Sequence, residues 1–287
     1  MGLRGGLSGH TRRMGHVRGK LSWPRLSWVL ELSSIALGYA AYAVIRVLAP
    51  HQQAASFAHA GQVEDVESAL GVFVELDANA FLAQHAWLST CAGYYYATLH
   101  FIVTPLLLIW LWRRRQASYA PLRSALVLAT GIALVVYAAW PLAPPRFALD
   151  GAEDSVIANP LLGHAGHGVS GLVNEFAAMP SMHVGWALWC AVAVVTATST
   201  RWRQLAWLYP VMTTLDVVAT ANHYWLDAVA GAVVVLVPLF LSGALAWSSP
   251  ARPQRRAQAD WVGPKRSVPG ALGGTAGHRG AMGSMRR

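Results

Sequence analysis

The chain has 287 residues, of which 55% are hydrophobic and only 12% charged, far from the roughly 25% charged residues of an ordinary soluble domain. That balance excludes a typical water-soluble globular protein and predicts a membrane protein. The 22 Lys and Arg against 13 Asp and Glu do not point to nucleic acid. Nearly all the cations lie in the termini and in two short loops between apolar runs, where they set topology and meet anionic lipid heads.

Residues 1–26 are rich in Gly and Arg without periodicity, and 248–287 are rich in Gly, Pro, Ser and Arg. Neither stretch has enough apolar surface to order itself, so both are expected to be flexible basic tails. Between them, residues 27–247 read as one all-α domain, a polytopic six-transmembrane-helix bundle. Apolar runs at 27–49, 88–112, 122–141, 182–200, 204–221 and 225–247 are read as long enough to cross a hydrocarbon core of about 30 Å, which needs roughly 20 residues each. The first starts too late and runs too long for a cleavable secretion signal and reads as an uncleaved anchor. Arg12-Arg13 does not directly precede an apolar run, so it is not read as an export signal.

Charge placement orients the bundle. Arg4, Arg12, Arg13, Arg18, Lys20 and Arg25 precede the first span, Arg113, Arg114, Arg115 and Arg123 lie between the second and third, and Arg201 and Arg203 between the fourth and fifth. The opposite loops carry Glu64, Asp65, Glu67, Glu75 and Asp77 in one and Asp150, Glu153, Asp154 and Glu175 in the other. Both termini are therefore expected in the cytoplasm, with 50–87, 142–181 and 222–224 facing outward.

Between spans one and two, "GQVEDVESALGVFVELDANAFLAQHAWL" places Val63, Val66, Leu70, Phe73, Val74 and Phe81 at helix-compatible spacing, which predicts an outer amphipathic helix running into span two. Cys91 and Cys190 both fall in predicted spans and read as free, buried thiols rather than a disulfide framework. Trp87, Trp140 and Trp225 read as interfacial anchors. The outer segment 142–181 is long and Gly-rich, and loops of that kind are functional or disordered.

What brackets that segment is chemically distinctive. "WPLAPPRF" ends span three and leaves Arg146 just outside the membrane; "AAMPSMHVGWA" opens span four; "TANHYWLDAVAG" joins spans five and six. His223 and Asp227 are four apart and, on a helix, share a face, so the carboxylate holds one ring nitrogen and leaves the other free, as an activated nucleophile or base requires. Pro180 at a helix start is expected to leave the N–H groups of Ser181, Met182 and His183 unpaired as an anion cradle. Arg146 adds a guanidinium fork suited to phosphate oxygens. Taken singly, His183 reads as a hydrogen-bonded residue at a span end and Arg146 as a side chain snorkelling to lipid heads. Together on one side of the membrane they read as a metal-free phosphoryl-transfer site, with His223 attacking phosphorus and His183 protonating the leaving oxygen.

"PSMH", followed some forty residues later by "HYWLD" and preceded by "APPRF", resembles the three signatures of the type 2 phosphatidic acid phosphatase superfamily. The resemblance covers roughly residues 60–245 and implies a six-span core in which His223 is phosphorylated, Asp227 orients it and His183 is the general acid. It further implies that Arg146 and Ser181 bind phosphate, that lipid phosphates or phospholipids are the substrates, and that no cofactor or metal is needed. Two cations of the common pattern are absent, Ala139 standing seven residues before Arg146 and Val217 six before His223. With "YYYATLH" upstream, the motifs are more similar to the branch containing inositol phosphorylceramide synthases and many bacterial proteins. This implies an inositolphosphotransferase-like enzyme in a bacterial plasma membrane, its site facing outward.

Tyr96 and His100 share a face of span two and, with Asn222, are secondary candidates for the pocket; a Tyr–His pair equally serves as glue between helices. Asp216, a carboxylate within span five, is expected to be paired or protonated. His164 and His167 have metal-ligand spacing but lack further ligands nearby. Two other function classes stay open. A non-enzymatic lipid-phosphate carrier would use Arg146 and the anion cradle but has no use for an oriented histidine. An intramembrane serine protease would use "GVSG" at 168–171, although Ser170 lies in a loop rather than at a span start.

Overall fold

A computed structural model describes residues 27–48, 52–154 and 174–244. The terminal tails, His164, His167 and Ser170 lie outside the described residues. Among the described residues the secondary structure is helical and contains no strand; α1 is Ser27–Leu48, α2 Gln53–Leu70, α3 Glu75–Ala83, α4 Ala86–Arg114, α5 Gln116–Ala139, α6 Pro145–Ala148, α7 Met182–Ala197, α8 Leu208–Ala219 and α9 Trp225–Leu241, with a 3-10 helix at Arg201–Trp207 before α8.

The apolar runs become helices, but not all at the expected length. Helices α4 and α5 are long and apolar enough to cross a bilayer, and only 17% and 33% of their apolar windows are buried against protein. A soluble protein's core helix would be mostly buried, so this exposure favours a lipid-facing position. Helix α7 has 16 residues. The expected span at 204–221 is realised as seven residues of 3-10 helix followed by only 12 of α-helix. Tight 3-10 turns at a helix start are common, and here the Thr200 hydroxyl caps them by accepting from the Trp202 N–H.

Helix α9 packs against α5 and α7, and α7 also packs against α4 and α8. Leu111, Leu122, Ala125, Leu126, Trp189, Val192, Val235 and Leu239 form the main buried cluster. The crossing of α7 and α9 is close because glycines face each other there: a Cβ on Gly231 would lie 2.1 Å from the Ser181 carbonyl oxygen, and one on Gly185 would lie 3.0 Å from Val235 Cγ2. Large apolar side chains on the opposite faces, such as Phe101, Leu106, Val135, Val233 and Phe240, are exposed.

The segment between α1 and α4 departs from expectation. Instead of one helix there are two, separated where Gly71 adopts φ 69° and the N–H groups of Gly71 and Val72 close on the carbonyls of Ser68 and Glu67, a left-handed ending that glycine permits at low cost. The face turned inward is Ser56, Ala60, Val63 and Glu67 on α2 and Glu75, Asn79 and Leu82 on α3. Val66 is 47% exposed, Leu70 64% and Phe81 58%. Only part of the expected stripe docks: Val63, with Ala60, is buried among Leu142, Ala143 and Tyr224, and Phe73 packs beside them. Buried polar groups add to it: Asn79 donates to the carbonyls of Glu153 and Ala219 at 3.0 Å and accepts from the Glu153 N–H at 2.7 Å. Cys190 is buried, whereas Cys91 is exposed on α4, a correction to the expectation of two buried thiols.

Candidate active site

Three stretches converge above the α7–α9 crossing. In the first, the Leu142 N–H donates to the Phe176 carbonyl at 2.9 Å and the Leu142 carbonyl accepts from Ala178 at 3.3 Å, forming a single parallel bridge. Pro145 then starts α6, in a position where its missing N–H costs nothing. This delivers Arg146, whose backbone N–H donates to the Ala221 carbonyl at 2.8 Å. The guanidinium donates through Nη1 to Asn222 Oδ1, and its Nε lies 3.1 Å from Asp154 Oδ2.

The second stretch ends in Ser181, the N-cap of α7, whose Oγ accepts from the Val184 N–H at 3.5 Å. Tyr137 donates its hydroxyl to the Pro180 carbonyl at 2.8 Å and ties this loop to α5. The Met179–Pro180 peptide is cis. One expectation is corrected here: the Ser181 N–H is not free for an anion, because it donates to the Asp227 carbonyl at 2.9 Å. A serine at the N-cap has its backbone outside the helix and so can pair with a neighbouring element. The first-turn N–H groups of Met182 and His183 remain without intrahelical acceptors by helix geometry.

The third stretch is the turn from α8 to α9. Ala221 has φ 53°, the Asn222 N–H closes on the Val217 carbonyl at 3.0 Å and the Ala221 N–H on Val218 at 2.9 Å. This is a Schellman ending with alanine where glycine is usual. It leaves His223 and Tyr224 outside the helix, with Tyr224 as the N-cap of α9. The proximity of His223 and Asp227 is thus not the helical i, i+4 spacing expected. Asp227 lies in the first turn and folds back, its Oδ2 accepting from the Tyr224 N–H at 2.9 Å and standing 3.3 Å from His223 Nδ1.

His223 is 4% exposed and Asp227 0%. A second and nearer partner of His223 Nδ1 is the Ala178 carbonyl at 2.8 Å. Both neighbours of Nδ1 are acceptors, so Nδ1 carries the proton and Nε2 presents its lone pair. That lone pair faces His183 Nδ1 at 3.4 Å. Tyr96 stacks on the His183 ring at 4.3 Å between centroids and His100 meets it edge-on at 4.2 Å. Tyr96, His100 and His183 line a small cleft with Tyr95, Tyr209, Thr213, Asp216 and others. Tyr95 hydrogen-bonds to Thr213 at 2.8 Å, and Oδ2 of Asp216 is buried without a partner among the described residues. Where the common pattern has a cation, Val217 is fully buried among Val184, Val218 and Ala228.

The structure therefore brings together Arg146, Ser181, Met182, His183, Asn222, His223 and Asp227, with Tyr96 and His100 flanking His183. Sequence reasoning missed the Ala178 carbonyl, Asp154, Tyr137 and two buried glutamates. Glu75 Oε1 accepts from the Trp225 N–H at 3.0 Å and Glu67 Oε1 from the Leu226 N–H at 2.7 Å, so the first turn of α9 is capped from α2 and α3. The signal was present: Glu67 continues the Ser56, Ala60, Val63 face, but as a charge it was assigned to topology alone.

A family profile described as the PAP2 superfamily matches residues 61–241. The chain belongs to the PAP2 superfamily. The match spans every side chain gathered at the site, and PAP2 membership together with the two exposed apolar helices suggests a membrane protein with phosphatase or phosphotransferase chemistry on lipid phosphates. Comparisons with curated proteins and with solved structures find no match.

Proposed function

We propose that this PAP2 protein is a metal-independent lipid-phosphate phosphatase or headgroup phosphotransferase working through a phosphohistidine at the outer membrane face. The observation that carries the reading is His223, its Nδ1 held between the Ala178 carbonyl and Asp227 and its Nε2 aimed at His183. Phosphate oxygens bind the Arg146 guanidinium and the N–H groups of Met182 and His183, with the phosphoryl group replacing the His183–His223 contact. His223 Nε2 attacks phosphorus, the P–O ester bond breaks, and His183 protonates the leaving oxygen. His183 then takes a proton from water or an acceptor alcohol, whose oxygen attacks the phosphohistidine and frees His223. Asp227 and Ala178 stabilise the positive charge on the ring in both steps.

The surrounding architecture is a six-span bundle with both termini in the cytoplasm, supported by the basic inner loops and the acid-rich outer ones. Helices α2 and α3 form its outer cover. The inositolphosphotransferase-like branch is supported by the "APPRF", "PSMH" and "HYWLD" stretches with "YYYATLH" upstream. The test is phosphate release or transfer from a panel of lipid phosphates and phospholipids by detergent-purified protein, with and without alcohols and EDTA, beside His223→Ala. EDTA-resistant turnover lost in the variant is the expected result. Turnover unchanged by His223→Ala refutes the mechanism.

A further inference from the structure

The two glutamates that cap α9 do more than complete hydrogen bonds. Both are fully buried, and their acceptors are disposed unequally. Glu75 uses both oxygens, Oε1 for the Trp225 N–H and Oε2 for the Val74 N–H at 2.9 Å. Glu67 uses only Oε1; its Oε2 is buried without a partner among the described residues. The two carboxyl groups take the N–H groups of successive residues and so lie near each other in a buried site, where two like charges cannot both be held and one carboxyl keeps its proton. Oε2 of Glu67 is the oxygen free to carry it.

One negative charge at this point suits the helix N-terminus. Two, beside the buried Asp227 carboxylate, would repel. The groups that reach the pair are Asp227, Glu64 on the same helix through the Tyr224 ring, and Tyr224 itself, whose hydroxyl is buried without a partner among the described residues. His223 lies beyond Asp227, bonded to it.

We propose that Glu67 and Glu75 are positioning residues: a carboxyl–carboxylate pair sharing one proton, which holds the first turn of α9 and with it Asp227 and His223, and which loosens that turn when the proton is lost. The inference rests on the catalytic reading for its effect on turnover, but its structural half stands alone. Burial and the neighbouring Glu75 push Glu67 up to about 8, so the release falls in the mildly alkaline range.

Two readouts on the full-length protein in detergent test it. Hydrogen exchange over 222–229, corrected for the intrinsic pH dependence, is expected to show protection of Trp225 and Leu226 at pH 7 that declines towards pH 9.5. Glu67→Ala is expected to lose about tenfold of that protection at both pH values, since a hydrogen bond to an acidic group has gone. Glu67→Gln, whose amide carries the same donor as the protonated acid, is expected to restore protection and make it independent of pH. The pH–rate profile is expected to follow, with an alkaline limb in wild type that Glu67→Gln flattens. Unchanged exchange in Glu67→Ala, or a Glu67→Gln profile that declines as in wild type, overturns the proposal. Failure of the catalytic reading would show separately, as turnover indifferent to His223→Ala, while the exchange data still decide the pair.

Discussion

Replacing Gly231 by Ala tests the geometry on which the site depends. The added Cβ would stand 2.1 Å from the Ser181 carbonyl oxygen and 3.0 Å from its carbonyl carbon. These are backbone atoms and cannot swing aside, so α7 and α9 must part by about 0.9 Å to bring the oxygen contact to even 3.0 Å. That movement stretches the Ser181 N–H to Asp227 carbonyl bond, now 2.9 Å, past hydrogen-bond length. Overpacking of this kind costs about 1–3 kcal/mol and the lost bond about 1 kcal/mol. The melting temperature is expected to fall by roughly 5–15 °C. His183 sits two residues beyond Ser181, so its 3.4 Å approach to His223 opens as well, and displacements of about 1 Å reduce turnover by about a hundredfold. Thermal unfolding in detergent and steady-state turnover measure both effects. Gly131→Ala is the control, since its Cβ meets nothing within 4 Å and is expected to leave the protein as stable or slightly more so. A Gly231→Ala protein that melts and turns over like wild type would show that the crossing is not tight and that the reasoning from it is wrong.

Asp227→Asn can place its amide oxygen where Oδ2 now meets both the Tyr224 N–H and His223 Nδ1, but it removes the negative charge that stabilises the positive ring during transfer. Turnover should drop by about 10²–10⁴-fold with the circular dichroism spectrum retained, and near-normal kcat would exclude that stabilising role. Tyr137→Phe leaves the Pro180 carbonyl without its donor, and unfolding measurements should register a loss of about 1–2 kcal/mol; no change in the unfolding midpoint would mean that this bond contributes nothing. For Glu67 the sign follows from proton linkage: its value is raised from 4.5 to about 8, so the stabilisation is complete below 4.5 and is lost as pH rises through about 8. Melting temperature should accordingly decline between about pH 5 and 8 in wild type, level off above that, and show no such decline in Glu67→Gln. Parallel declines in the two proteins would remove Glu67 as the cause.

Much of the site was legible because its parts are local. A proline before a helix, an arginine after two prolines and a histidine four residues before an aspartate are statements about neighbouring residues, and the structure keeps those residues adjacent. The geometry inside each part was less legible. His223 lies in a turn rather than on the helix because Ala221 takes up a left-handed conformation that alanine gives no reason to expect. The Ser181 N–H is consumed by a carbonyl 46 positions away, a partner that no local pattern announces.

Helices α2 and α3 illustrate the same limit from the side of packing. Their valines, leucines and phenylalanines invited an apolar docking face, yet Val66, Leu70 and Phe81 are exposed while Glu67, Glu75 and Asn79 are buried. A buried acid is costly in isolation and becomes favourable only where unpaired donors await it; those donors, the N–H groups of Trp225 and Leu226, are about 150 residues downstream. The sequence by itself determined the helical class, the apolar runs, the charge asymmetry of the loops and the residues able to handle phosphate, because each follows from composition or short-range spacing. Tertiary structure alone decided which nitrogen of His223 is free, what holds it, how closely α7 meets α9 and which acids are buried, because each depends on hydrogen-bond partners distant in the chain.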